Sequence, residues 1–228
     1  MALNDPAQRN QVIILQDGYS RQEIGDDTAM RANCTCTLVR CRDGTNVLVD
    51  TMTAWDGEHL RSLLGEHGLG VDDINVVVCS HGHSDHVGCN YLFQKARMHL
   101  VGACASHGDL YMSHFGSGKP DEELALDSNG EVVVIRSPGH TLSCVSVLVN
   151  NSQLGGRVGI TGDLFERRED IDDESIWKNA GSENEKLQRE ERSKMAHCCD
   201  FIVPGHGPVF SVNALMRKKL KQYAVSSA

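Results

Sequence analysis

Four side chains that can hold a metal ion fall within six residues, His81, His83, Asp85 and His86 of His81-Gly82-His83-Ser84-Asp85-His86. Neutral imidazole and carboxylate are donors that zinc takes readily. Packing explains such density poorly, because every buried polar group needs a partner of its own; an exposed polar loop is the alternative. Directly before the cluster runs Ile74-Asn75-Val76-Val77-Val78-Cys79, apolar and β-branched, the pattern of a buried strand. Three imidazoles and a carboxylate are therefore expected to leave one strand end together, on a strand-to-helix turn leading into a short helix from Gly88-Cys89-Asn90-Tyr91-Leu92-Phe93.

The same arrangement recurs along the chain. Glu131 to Ser137 leads into Pro138-Gly139-His140-Thr141, Val158-Gly159-Ile160-Thr161 into Gly162-Asp163, and Phe201-Ile202-Val203 into Pro204-Gly205-His206-Gly207-Pro208. Asn46-Val47-Leu48-Val49 likewise runs into Asp50-Thr51. Open sheets collect function at such strand exits. The set and its order resemble the metallo-β-lactamase superfamily over about Gln11 to Phe210, with His81 to His86 matching the His-x-His-x-Asp-His motif. Ser80 to Gly88, Gly162-Asp163-Leu164-Phe165-Glu166-Arg167 and Val203 to Pro208 resemble, more narrowly, the metallo-β-lactamase domain-containing protein 1 family.

The resemblance implies an α/β fold, the metallo-β-lactamase αββα sandwich of two mixed sheets with outer helices. Residues 1–228 would form a single domain, with 211–228 a C-terminal helix and tail. It implies two Zn²⁺ per chain, with iron or manganese as alternatives. One metal falls to His81, His83 and His140 and a second to Asp85, His86 and His206, with Asp163 bridging. Three protein ligands per metal leave a position open, as in catalytic rather than structural sites. The implied nucleophile is a shared hydroxide, with Asp85 orienting it or passing its proton. Two Zn²⁺ against Asp85, Asp163 and hydroxide leave a formal charge of about +1.

The narrower resemblance implies an endoribonuclease acting on histone pre-mRNA 3′ ends, with RNA as substrate, a homodimer, and a cytoplasmic and also nuclear location. The alternative is a glyoxalase-II-like thioester or small-molecule ester hydrolase. Its Thr-Gly-Asp-x-Leu-Phe is matched by Thr161-Gly162-Asp163-Leu164-Phe165 with one residue lacking, and the 22 residues after His206 are too few for its helical substrate domain. The nucleic-acid-cleaving branch with an inserted second domain needs far more than the 42 residues between Asp163 and His206.

The chain has 228 residues, 40% of them hydrophobic, enough for a sizeable core, and only 5% aromatic, so aliphatic side chains must fill it. A formal net charge of −9 argues against a broad basic surface for nucleic acid. Lys95, Arg97, Lys119 and Arg136 are scattered cations, each read as solvated surface. No basic segment precedes an apolar one at the start, and no apolar stretch could span a bilayer, so a soluble chain without a membrane partner is expected. Nine cysteines without a secretory signal favour reduced thiols. Cys34-Thr35-Cys36 and Cys198-Cys199 lack the two-residue spacer of metal or redox pairs.

Around the motifs, Val12 to Leu15 and Ala32 to Arg40 read as strands, and Asp43-Gly44 as the hairpin turn into Thr45 to Asp50. Trp55 to Gly68 reads as a helix with a glycine stop. Met98 to Gly102 and Cys144 to Val149 are further strands. Ser182 to Cys198 is a charged helix with Leu187 and Met195 inward, and Asn213 to Tyr223 a terminal helix. Asp50 is either an acceptor that orients the ligand loop or a turn cap. His99, His107 and His114 are read as structural or surface histidines. The loop His114-Phe115-Gly116-Ser117-Gly118-Lys119-Pro120 is the expected substrate rim. Glu166 to Glu174, six acids against two arginines, reads as a solvated face.

Overall fold

Valine runs such as Val76-Val77-Val78 and Val132-Val133-Val134 suit strands covered on both faces, where successive side chains enter two different cores. The computed structural model, which describes residues 8–113, 115 and 122–226, has that arrangement. Its first strands are β1 (Gln11–Gln16), β2 (Tyr19–Glu23), β3 (Asp26–Asn33), β4 (Cys36–Arg40) and β5 (Asn46–Val49). Helix α1 (Gly57–Glu66), β6 (Val76–Cys79), α2 (Ser84–Val87), β7 (Met98–Val101), β8 (Cys104–His107) and β9 (Leu110–Met112) follow. The second half contains β10 (Glu123–Ala125), β11 (Val132–Arg136), β12 (Val145–Val149) and β13 (Val158–Gly162). Then come α3 (Ser175–Asn179), α4 (Glu185–Cys198), β14 (Phe201–Pro204), β15 (Phe210–Ser211) and α5 (Ala214–Ser226).

One sheet orders β1-β4-β5-β6-β7-β8-β9 and the other β10-β11-β12-β13-β14-β15, while β2 and β3 form a separate hairpin. Both sheets are mixed: β5-β6-β7 and β13-β14 pair in parallel and the remainder antiparallel. Val47, Val49, Val76 and Val78 of the first sheet meet Val134, Val147, Ile160 and Val203 of the second in one core. The alternate residues Leu48 and Val77 pack on Leu60 and Leu64 of α1. On the far side, Leu148 and Ile202 pack on Met195 of α4 and Met216 and Leu220 of α5. The layers are helix, sheet, sheet, helix. At roughly 1.5–3 kcal/mol for each fully buried aliphatic side chain, the layer between the sheets is a large source of stability.

Several segments differ from the sequence expectation. The strand expected over Ala32 to Arg40 is two, β3 and β4, broken at Cys34-Thr35. There the Thr35 N–H leaves the ladder and donates to Gly205 O at 2.6 Å. The β2–β3 hairpin has no apolar alternation to announce it. The helix expected from Gly88 begins earlier, as α2 inside the ligand motif, and a 3₁₀ turn, Asn90–Leu92, follows it. The acidic run is not wholly solvated: Glu166 and Asp170 are buried, and Arg192 on α4 pairs with Asp170. The inward face of α4 carries Gln188 and Arg192 beside Met195, while Leu187 is half-buried. In the expected substrate rim, Phe115 packs against the core between the sheets; His114 and Gly116 to Pro120 lie outside the described residues. No helix among the described residues is long and apolar enough to cross a membrane.

Candidate metal centre

Each of the seven side chains marked by the motifs sits at a strand exit, in the turn beyond it or in the short helix α2 that follows, on the same edge of the sandwich. His81, His83, Asp85 and His86 follow β6 on the first sheet; His140 follows β11, Asp163 follows β13 and His206 follows β14 on the second. Two glycines let the motif loops close on one another. A Cβ at Gly205 would lie 1.9 Å from Asp163 Oδ1, and one at Gly162, whose φ is +50°, would lie 2.2 Å from Ser80 Oγ.

The structure brings all seven together. His83 Nδ1 lies 2.9 Å from His81 Nε2 and 3.1 Å from His140 Nε2. Asp163 Oδ2 lies 3.6 Å from His81 Nε2, 3.4 Å from His140 Nε2 and 3.3 Å from His206 Nε2, while its Oδ1 lies 3.3 Å from His86 Nε2. Asp85 Oδ2 is 3.9 Å from His86 Nε2 and 3.8 Å from His206 Nε2. His81, His140, His86, Asp163 and His206 are buried, Asp85 is half-buried and His83 faces solvent.

The 3.3–3.6 Å spacings around Asp163 suit a cation better than hydrogen bonds. Donors bound at about 2.0–2.1 Å in a tetrahedron stand roughly 3.3–3.4 Å apart, whereas charge-assisted hydrogen bonds are about 2.7–2.9 Å. His86 Nε2 and Asp163 Oδ1, both buried, have no hydrogen-bond partner. The opposite ring nitrogens are already committed. His140 Nδ1 meets Gly181 O at 2.7 Å, His206 Nδ1 meets Asn33 O at 3.0 Å and His86 Nδ1 meets Asp50 Oδ2 at 3.0 Å. A carbonyl or carboxylate only accepts, so each Nδ1 carries a proton, and once Nε2 has given up its own proton its lone pair points inward. One proton shared among His81, His83 and His140 makes poor hydrogen bonds, while a cation between them uses three lone pairs.

Titration follows from the same contacts. Burial holds His81 and His140 below the usual imidazole range. It acts likewise on His86 and His206, but there the Asp163 carboxylate outweighs it, lifting His86 well above that range and His206 to about 9. Burial would raise Asp163, yet His86, His206 and His81 hold it well below the ordinary carboxylate range. Anything bound at these nitrogens competes with protons.

The outer contacts answer what Asp50 does. Its Oδ1 accepts Ser80 N at 2.7 Å, and its Oδ2 accepts Ser80 Oγ at 3.1 Å and His86 Nδ1. It holds a left-handed φ of 58°, a conformation that costs energy and collects at functional sites. Gln188 Nε2 donates to Asp163 O at 3.0 Å. Sequence reasoning missed Ser80, Gln188 and Glu166. Glu166 is 1% exposed, and burial, with Asp163 adding, lifts its carboxyl to about 8.

Over the cluster lies a pocket of about 240 Å³. Ser20, Met30 and Ala32 of the β2–β3 hairpin form one wall and Ala180 another, with His83, Asp85 and Glu166 among the polar groups. His99 and His107 line a separate concavity of about 550 Å³ that contains none of the seven, and His99 Nε2 is occupied by Phe93 O at 2.9 Å. Lys95 pairs with Asp72, Arg97 donates to Leu126 O and Arg136 to Leu142 O; Lys119 lies outside the described residues. All nine cysteines are free thiols.

A family model described as the metallo-beta-lactamase superfamily matches residues 30–206. A Xenopus laevis protein named Metallo-beta-lactamase domain-containing protein 1 is 36% identical over 208 residues, covering 91% of this chain and 84% of that one. Among solved structures, a Thermotoga maritima protein carrying a provisional metallo-beta-lactamase name superposes with a TM-score of 0.62 at 20% identity, covering 89% of this chain and 99% of that one. The Pseudomonas aeruginosa metallo-beta-lactamase FIM-1, in its mono-zinc form, superposes with a TM-score of 0.58 at 16% identity, covering 91% of each chain. These structural likenesses speak for the fold.

Proposed function

The chain belongs to the metallo-β-lactamase superfamily, in the family of metallo-β-lactamase domain-containing protein 1, and from that premise of a metal-dependent hydrolase we propose a dinuclear zinc enzyme that cleaves RNA phosphodiesters. The observation that carries the proposal is the convergence of seven donor side chains beneath a pocket open at His83 and Asp85. His81, His83 and His140 would hold one zinc and Asp85, His86 and His206 the other, with Asp163 within reach of both groups; iron or manganese would suit the same donors. When bound, such a pair brings the pKa of a water toward about 7 and polarises the bond under attack. Asp85, partly exposed at the pocket, would orient the attacking water and accept its proton. Asp50 and the carbonyls of Gly181 and Asn33 keep the rings aimed.

The choice of RNA rests on the family resemblance. The pocket, of about 240 Å³, is smaller than the roughly 300–1,000 Å³ of sites that enclose a small ligand, which is compatible with a substrate that lies largely outside it. A homodimer and a cytoplasmic and nuclear location belong to the same reading. A thioester or ester hydrolase is the second reading. It is favoured by the acidic pocket wall and by the commitment of nearby cations, Arg167 Nη1 donating to Ser20 O at 3.1 Å.

The test compares zinc-loaded protein on a histone 3′-end RNA and on an acyl-glutathione, with His83→Ala and Asp85→Asn beside the wild type. RNA cleavage lost in both variants is expected. Intact RNA with thioester turnover reverses the two readings, and full activity in both variants removes the hydrolytic centre.

A further inference from the structure

One buried side chain at the cluster has no hydrogen-bond partner. Glu166 stands three residues after Asp163, and neither of its carboxylate oxygens has a hydrogen-bond partner. A buried, unpaired carboxylate is costly unless a cation offsets it. The nearby arginines are committed elsewhere: Arg167 donates to Ser20 O, and Arg192 binds Asp170 and Leu164 O. Glu166 Oε2 lies 4.0 Å from His206 Nε2, and on the same nitrogen Asp85 Oδ2 lies at 3.8 Å. One donor atom each from Asp163, Glu166 and His206 lie within 4.8 Å of one another, the span that also encloses Asp85, His86 and His206. The backbone fixes this placement from both sides, since Glu166 N donates to Asp170 Oδ2 at 2.7 Å and Glu166 O accepts His206 N at 2.8 Å.

We infer that Glu166 is an eighth metal ligand, joining His206 and Asp163 on the cation that Asp85 and His86 also hold. The inference rests on the two-cation reading and not on RNA as the substrate. A third carboxylate takes the formal charge of the centre, with hydroxide, from about +1 to zero. It also makes the second position richer in hard oxygen donors than the first, which is built on His81, His83 and His140; oxygen donors suit manganese and imidazole suits zinc. The two positions should therefore differ in metal preference.

Titrating metal-free wild type, Glu166→Gln and Glu166→Ala with Co²⁺ tests this, reading visible absorption, dissociation constants by chelator competition, and thermal midpoints. The wild type should take two equivalents. In both variants the first equivalent should bind as in the wild type, and the second should bind at least about tenfold more weakly, with an altered spectrum. The metal-free Glu166→Gln variant should melt no lower than the wild type, because it keeps the side chain's volume and removes an unpaired buried carboxyl. Wild-type affinities and spectra in both variants would overturn the inference, and so would a metal-free Glu166→Gln variant that loses as much thermal stability as the metal-loaded one. A wild type that takes fewer than two equivalents would remove the cation pair itself, a distinct failure visible before any variant is made.

Discussion

Replacing Arg192 by Met keeps a long stem inside α4 and removes only the guanidinium. In the wild type Arg192 Nη2 meets Asp170 Oδ1 at 2.5 Å and Nη1 meets Asp170 Oδ2 at 2.9 Å and Leu164 O at 2.8 Å. The guanidinium also lies 4.2 Å from the Phe165 ring centroid. Arg192 is 1% exposed and Asp170 0%, so Asp170 would be left a buried charge with Glu166 N as its remaining donor. Breaking a buried pair from one side costs about 3–5 kcal/mol. At about 2–4 °C per kcal/mol for a chain of this size, the midpoint should fall by roughly 6–20 °C. The double variant Arg192→Met with Asp170→Leu removes both charges and should lose less than the sum of the single losses, by about 2 kcal/mol or more. Thermal and urea unfolding of metal-free protein read these values without interference from metal content. A single-variant shift under about 3 °C, or losses that simply add, would refute the reasoning.

Stripping metal with a chelator should lower the midpoint, and readdition of zinc should restore it; at a free zinc a thousandfold above Kd the stabilisation is about 4 kcal/mol. An unchanged midpoint would show that the cluster holds no metal in the folded state. Asp50→Asn, which keeps the shape and removes the acceptor charge behind His86, should weaken metal binding about 10–100-fold, measured by chelator competition; wild-type affinity would make Asp50 a cap only. Asp43 offers an acid-side test. Burial raises its carboxyl, but hydrogen bonds from Ser128 N, Thr45 N and Ser128 Oγ outweigh that and hold it at about 2. A folded-state pKa below the unfolded value of about 3.9 contributes stability above that pH and loses it as pH falls through about 2. The gap in midpoint between wild type and Asp43→Asn should therefore narrow from pH 4 toward pH 2; a constant gap would assign the effect to packing.

The seven motif residues were legible because each follows an apolar strand and because four of them crowd into six positions. The valine strands were legible for a related reason: covered on both faces, they read as unbroken β-branched runs. What escaped depends on partners distant in sequence. The hairpin Tyr19–Glu23 and Asp26–Asn33 is largely exposed, so its strands carry no alternation. The break at Cys34-Thr35 exists because Gly205, 170 residues further on, takes the Thr35 N–H. Glu166 and Asp170 were lost in an acidic run whose composition argues for solvent. Only the arrival of Arg192 from a helix, 22 residues beyond Asp170, turns that stretch inward. The single legible hint was the position of Glu166, three residues past Asp163 and directly after Leu164-Phe165.

The donors are divided four and three between the two sheets, and the last in sequence, His206, follows β14, which pairs in parallel with β13. A growing chain that has made only its first sheet offers a cation His81, His83, Asp85 and His86, without the Asp163 carboxylate or the rings that complete either position. Such a fragment should let its metal go. Placement of β14 and acquisition of firmly held metal should thus coincide, which would leave an unfinished molecule without a reactive centre.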